Sequence, residues 1–284
     1  MNAPNKLRLP ASPTPGSPTP FDGQAADFDR RVGLPEADCR YIAASVVSMA
    51  HVFAEQRLVD VGAGTGMIGR WFPALRVRYV GLDVSRGMLE VFRRRPDVEN
   101  VEDAERAALV QADARRTWPL PDGSVRAVFS SRAIHLLPRE HVIGELLRVA
   151  PGGALVIGRV ERSPESVKGL LSFEMRHRLL DRGFFPRNAG SRRLLGELKE
   201  LGAEDLDRRE VARWPSRQTP SDALDQWRGK EGLGGIVLPP GVQDEILREL
   251  EAWALKAFGD LDAPHDTEEA YVLEGVSLPG PKKG

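Results

Sequence analysis

The segment Leu58-Val59-Asp60-Val61-Gly62-Ala63-Gly64-Thr65-Gly66-Met67-Ile68-Gly69 sets a carboxylate inside an apolar run and follows it with alternating glycines. Glycines so placed let the backbone take positive φ and let a bulky ligand lie against the main chain, where a Cβ would collide with it. The N–H groups at the start of the helix expected next offer donors. Two more acids, Asp83 and Asp113, each close a further apolar run, at 77–82 and 108–111. An acid at the carboxyl end of a strand in a doubly wound sheet is placed to accept ribose hydroxyls, because the ligand crevice lies outside those ends. Past a fourth run, at 125–129, stand Ser130, Arg132 and His135. A histidine titrates in the range useful to a general base, and an arginine clamps an acidic group through two parallel hydrogen bonds.

Two ligand classes fit the glycine segment. Taken from Gly64, the residues spell G-x-G-x-x-G with Asp83 near the spacing of a ribose-binding acid, which is the dinucleotide fingerprint of an NAD(P)-dependent oxidoreductase. Taken from Asp60, the same residues read D-x-G-x-G-x-G, which resembles motif I of the class I S-adenosylmethionine (SAM) methyltransferases. The second reading uses Asp60 and Gly62, which the first leaves unexplained. The segment from Asp83 through Val84 to Met88 is similar to that family's second motif, Ala112-Asp113-Ala114 to its third acidic position, and Pro151-Gly152-Gly153 to the turn after motif III in the ubiquinone-biosynthesis-like (methyltransferase type 11) group.

The resemblance implies SAM as the cofactor. Asp60, Gly62, Ala63, Gly64 and Gly66 would face its methionine portion, Asp83 and Val84 its ribose, Met88, Ala112, Asp113 and Ala114 its adenine, with Ser130 beside it. It implies an acceptor side carrying Arg132 and His135, joined by Phe28 and Arg30, since related methyltransferases often have an aromatic-Asp-Arg group near the cofactor's carboxylate. Methyl transfer from a sulfonium is an in-line displacement. The protein supplies orientation and water exclusion, which together account for roughly 7–11 kcal/mol of barrier. No metal is required, and the sequence offers neither a metal-ligand cluster nor a Ser-His-Asp constellation. A non-catalytic SAM-binding protein is the remaining alternative.

Composition narrows the partners. With 40 basic and 41 acidic residues interspersed, a polyanion-binding surface is not indicated, and Arg93-Arg94-Arg95 reads as the solvated end of a helix. Ser130-Ser131-Arg132-Ala133 replaces the Asn/Asp-Pro-Pro-aromatic motif of adenine methylation, and the single cysteine, Cys39, lies ahead of the glycines, where it serves no cytosine chemistry. The expected acceptor is a small molecule. One cysteine also excludes an intrachain disulfide, and the absence of a long apolar run or a signal-type N-terminus leads to the expectation of a soluble, cytoplasmic protein.

The elements that must carry these residues follow from periodicity. Residues 1–24 are proline-rich and expected to be disordered, and a helix bearing Ile42, Val46, Met49 and Phe53 comes next. Residues 25–160 then alternate strands and helices as a Rossmann-like core, 161–190 and 215–265 form a largely helical cap, 191–214 return a helix and strand to the core, and 266–284 supply the last strand. Ser163 and Pro164 are expected to open the first cap helix, Thr219 and Pro220 the second, and 242–258 a long amphipathic one. Phe173, Phe184, Phe185, Trp214, Trp227 and Trp253 are candidates for an apolar acceptor pocket, and His177 for a second base. The fold class expected is α/β, a doubly wound seven-stranded sheet with its last strand antiparallel.

Overall fold

The computed structural model describes residues 22, 29, 33–95, 105–185, 190–229 and 232–280. Of the expected N-terminal tail, 1–24, only Asp22 is among the described residues, and Phe28 and Arg30 lie outside them.

Short apolar runs bounded by turns become the central strands. β1 (Arg57–Val61), β2 (Arg78–Asp83), β3 (Ala107–Gln111), β4 (Ala127–Ser131) and β5 (Ala154–Arg162) pair in parallel. All of β1 after Arg57 is buried, as a parallel strand covered on both faces must be. With β6 (Glu204–Gln218) and β7 (His265–Ser277) the order is β3-β2-β1-β4-β5-β7-β6, and the last strand in the chain is antiparallel. Strand order reverses between β1 and β4, so the crevice for a ligand opens beyond their carboxyl ends. The helices are α1 (Glu36–Met49), α2 (Arg86–Arg93), α3 (Arg139–Val149), α4 (Val167–Asp181), α5 (Gly190–Glu200), α6 (Pro220–Arg228) and α7 (Val242–Phe258).

The chain divides into two compact units. One comprises 1–158, 194–208 and 273–284, the other 159–193 and 209–272. In the first, Val59, Val61 and Val128 of the sheet pack with Val142 and Leu146 of α3 and Leu194 and Leu198 of α5. In the second, Leu171, Met175 and Leu179 of α4 close a separate core with Leu224 and Trp227 of α6 and Ile246 and Leu250 of α7.

Three local expectations are corrected. No α-helix follows the glycines. Two 3-10 turns, Gly69–Trp71 and Pro73–Leu75, stand there, because Pro73 lacks the N–H and its ring blocks a continued helix. The first helix of the second unit is opened by Ser166, whose hydroxyl accepts the Gly169 N–H at 3.0 Å, while the Ser163 carbonyl closes the preceding turn by accepting from Ser166. β6 runs on to Gln218 and β7 starts at His265, both longer than their alternating patterns. Thr219 does open α6, accepting the Asp222 N–H at 3.0 Å.

Candidate active site

The end of β1 delivers Asp60 and the glycines to the strand-order switch. Gly62 turns the chain at φ 81°, and its N–H and that of Ala63 both donate to the Leu82 carbonyl of β2, at 2.8 and 3.0 Å. The Gly64 N–H donates to Asp83 Oδ2 at 2.8 Å, and the Gly66 N–H to the Ala63 carbonyl at 3.1 Å. A Cβ at Gly62 would stand 2.1 Å from Ala133 Cβ and one at Gly66 2.3 Å from the Phe92 ring, whereas one at Gly64 would meet nothing closer than 4.0 Å. The protein itself thus sets part of the demand for glycine. At Gly62 and Gly66 the protein's own packing demands glycine, and only Gly64 faces open space.

Asp83 sits at the carboxyl end of β2, as expected. Its Oδ1 accepts the Ser85 N–H at 2.8 Å, and the Val84 N–H also bears on the carboxylate, which has four lone-pair positions in all. Burial raises its carboxyl above the ordinary range, the bonds from Ser85 and Gly64 oppose that rise, and the nearby Asp22 adds to it. Asp22 accepts the Ser85 hydroxyl at 2.6 Å and the Gly87 N–H at 2.8 Å, fixing the first turn of α2. Met88 on that helix is buried, and Val84, Ala112 and Ala114 are half-buried. The Ala112 N–H donates to the Asp83 carbonyl at 2.9 Å.

The acids do not share one environment. Asp60 is 3% exposed; its Oδ2 accepts the Tyr79 hydroxyl at 3.0 Å, while Oδ1 has no hydrogen-bond partner among the described residues. Asp113 is turned onto Arg115, whose Nε and Nη2 reach Oδ1 and Oδ2 at 2.9 Å each and whose N–H reaches Oδ1 at 3.0 Å. Ser130 donates to the Val61 carbonyl at 2.7 Å and accepts the Ile134 N–H at 3.2 Å, so it ties the ends of β4 and β1 together.

Beyond β4, Arg132 takes φ 62°, a left-handed conformation that costs a non-glycine residue and collects at functional sites. His135 follows in the 3-10 turn Ile134–Leu136. Its surface is exposed, yet crowding by the surrounding chain, then the Arg132 charge, hold its imidazole below the ordinary value.

The family comparison coincides with this stretch: the family described as "Methyltransferase domain" matches residues 59–157. That stretch carries the glycine loop, Asp60, Asp83 and Asp113. Demethylmenaquinone methyltransferase of Clavibacter sepedonicus is 34% identical over 164 residues, covering 56% of this chain and 64% of that protein. Methyltransferase GfsG of Streptomyces halstedii is 36% identical over 112 residues, covering 38% of this chain and 39% of its own length. The chain therefore spans less than two thirds of each of these relatives. Among solved structures, one from Bacillus halodurans assigned as a methyltransferase aligns at TM-score 0.52 with 18% identity, covering 84% of this chain and 98% of that one. YcgJ of Bacillus subtilis aligns at 0.50 with 17% identity, covering 84% and 98%. At these identities the likeness is one of fold.

The matched stretch makes contacts that sequence reasoning missed. Arg95, read as solvated, donates through Nε to the Thr65 carbonyl at 2.6 Å and pairs with Asp29, which also accepts the Thr65 hydroxyl. Arg115 two residues after Asp113 was visible as an opposite charge at short range. Tyr79 was visible only through strand alternation, as the residue on the face of Gly81. Outside that stretch, Trp214 and Trp227 are buried, Phe184 and Trp253 are partly buried in the core of the second unit, and Phe173 and Phe185 are exposed, with His177 stacked on Phe173.

Proposed function

We propose that the chain transfers a methyl group from SAM to a small-molecule acceptor. The observation that carries this is the pair of carboxylates, Asp60 buried and Asp83 half-buried, set either side of a glycine loop whose N–H groups at 62, 63, 64 and 66 are already spent on protein acceptors. A pyrophosphate bridge needs those donors and a helix N-terminus behind them. Here the loop N–H groups at 62, 63, 64 and 66 all donate within the protein, and 3-10 turns replace the helix, which argues against NAD(P).

The residues fit SAM. Asp60 Oδ1 is buried and lacks a partner among the described residues, and a cationic ligand satisfies such an oxygen; Gly64 leaves the loop open beside Asp83. Bound SAM supplies an electrophilic methyl on a sulfonium. In this reading Asp60 and the residues from Gly62 to Gly66 bind its amino-acid portion, and Asp83 accepts from the ribose. Val84 lies beside the ribose, and Met88, Ala112 and Ala114 wall the adenine, with Ser130 shaping the loop. Asp113 reaches the adenine amine only through the lone pairs Arg115 leaves. His135, held neutral near pH 7, takes the proton from the acceptor atom, and Arg132 beside it orients an acidic acceptor group. We assign acceptor recognition to residues 161–190 and 215–265 and the flanking positions 28 and 30. Cytoplasmic action goes with this reading; among the described residues no helix is long and apolar enough to cross a membrane and no metal-binding cluster exists.

The relatives' names make a demethylated menaquinone the first acceptor to try. Incubation with methyl-labelled SAM and a panel of quinols and phenols, read by mass spectrometry, should give a methylated product and S-adenosylhomocysteine. SAM binding without turnover on any acceptor would leave a binding protein in place of an enzyme.

A further inference from the structure

Asp60 is gripped by a residue outside every glycine or acidic motif. Asp60 on β1 pairs in register with Gly81 on β2, and Tyr79 lies two residues earlier on β2, so all three share one face of the sheet. The Tyr79 ring therefore lies along the strand over Gly81, and its hydroxyl reaches Asp60 Oδ2 at 3.0 Å. Two glycines clear its path: a Cβ at Gly81 would stand 2.9 Å from the phenol oxygen, and one at Gly69 2.3 Å from it. The ring is fixed by Phe72, stacked at 5.5 Å between centroids and 14° between planes, and by Phe92 at 5.9 Å. Tyr79 is 1% exposed. The phenol oxygen so fixed donates to one carboxylate oxygen, while the other has no hydrogen-bond partner among the described residues.

We propose that Tyr79 is a positioning residue for cofactor recognition: it holds Asp60 by Oδ2 so that Oδ1 is presented to the ammonium-bearing end of the methyl donor. This rests on the SAM reading above and adds to it a residue that acts through Asp60 without touching the cofactor.

The titratable groups that bear on Asp60 are Tyr79 and Asp83, both on β2. Burial pushes the Asp60 carboxyl up to about 7, the Tyr79 hydrogen bond pulls it down, and the Asp83 charge pushes it up. The ionised form is the one that pairs with an ammonium. Wild-type affinity for SAM therefore weakens as pH falls below about 7, and loss of the phenol moves that midpoint upward.

The experiment is titration calorimetry of the full chain and of Tyr79→Phe, from pH 6 to 9, with SAM and with 5′-methylthioadenosine, which has the nucleoside but no amino-acid end. Tyr79→Phe keeps the stacked ring, and circular dichroism checks that it folds. The expected result is a five- to tenfold loss of SAM affinity at pH 7.5, recovered in part by pH 9, with methylthioadenosine affinity changed less than twofold. Equal losses for both ligands at every pH, or an unshifted SAM profile, would overturn the positioning role and leave Tyr79 as packing. Failure of the wild-type chain to bind SAM at all would instead remove the functional reading, and this inference with it.

Discussion

Replacing Asp60 by asparagine removes a buried charge and leaves the side chain's shape nearly unchanged. The folded carboxyl is raised by burial from its ordinary 3.8 to about 7. Between those values the folded state holds a proton that the unfolded state has released, so stability is full at low pH and falls as pH rises toward the folded value. At about 1.4 kcal/mol per pH unit, the unfolding free energy lost by this group between pH 5 and pH 7 is roughly 3 kcal/mol. The asparagine amide titrates nowhere in this range. It still accepts from the Tyr79 hydroxyl but leaves a buried N–H group unpaired, at a pH-independent cost of about 1–3 kcal/mol. The Asp60→Asn protein should thus gain on the wild type by roughly 3 kcal/mol from pH 5 to pH 8. Urea unfolding of β1 and β4, read by amide hydrogen exchange on both proteins at matched pH and ionic strength, measures that difference. A stability difference constant to within about 0.5 kcal/mol across the range would refute the assignment of a buried, proton-holding Asp60.

Other substitutions probe the rest of the site. Gly66→Ala puts a Cβ against the Phe92 ring at a positive φ and should lower stability by about 2–4 kcal/mol, whereas Gly64→Ala, with space around it, should cost about 1–2 kcal/mol; equal melting temperatures for the two would contradict the packing argument. Asp83→Asn should weaken SAM binding by about 1.5–3 kcal/mol, seen by calorimetry, and an unchanged dissociation constant would free Asp83 from the ribose role. His135→Ala should cut kcat with little change in SAM affinity. At saturating SAM the wild-type kcat should drop on the acid side of pH 6.5, because the imidazole is held below that value; a kcat untouched by the substitution would remove the base.

Much of this frame was legible before any coordinates. Alternating apolar runs and glycines marked β1 to β5, and Asp83 stood where the end of β2 put it. What stayed hidden depends on side chains that meet across strands or across long stretches of chain. The Tyr79 hydroxyl finds Asp60 over 19 residues, Arg95 reaches Thr65 over 30, and Asp22 reaches Gly87 over 65; periodicity carries none of these. The α-helix expected after the glycines is replaced by two 3-10 turns because Pro73 breaks it. Asp113 looked like a free acid at a strand end, and the competing opposite charge at Arg115 decided its orientation.

Titration calorimetry of the purified chain with SAM and, separately, with NADH tests the central claim most directly. The account predicts saturable binding of SAM at one site per chain, abolished or strongly weakened in Asp83→Asn, and no heat from NADH. Binding of NADH in that crevice with none of SAM would contradict it.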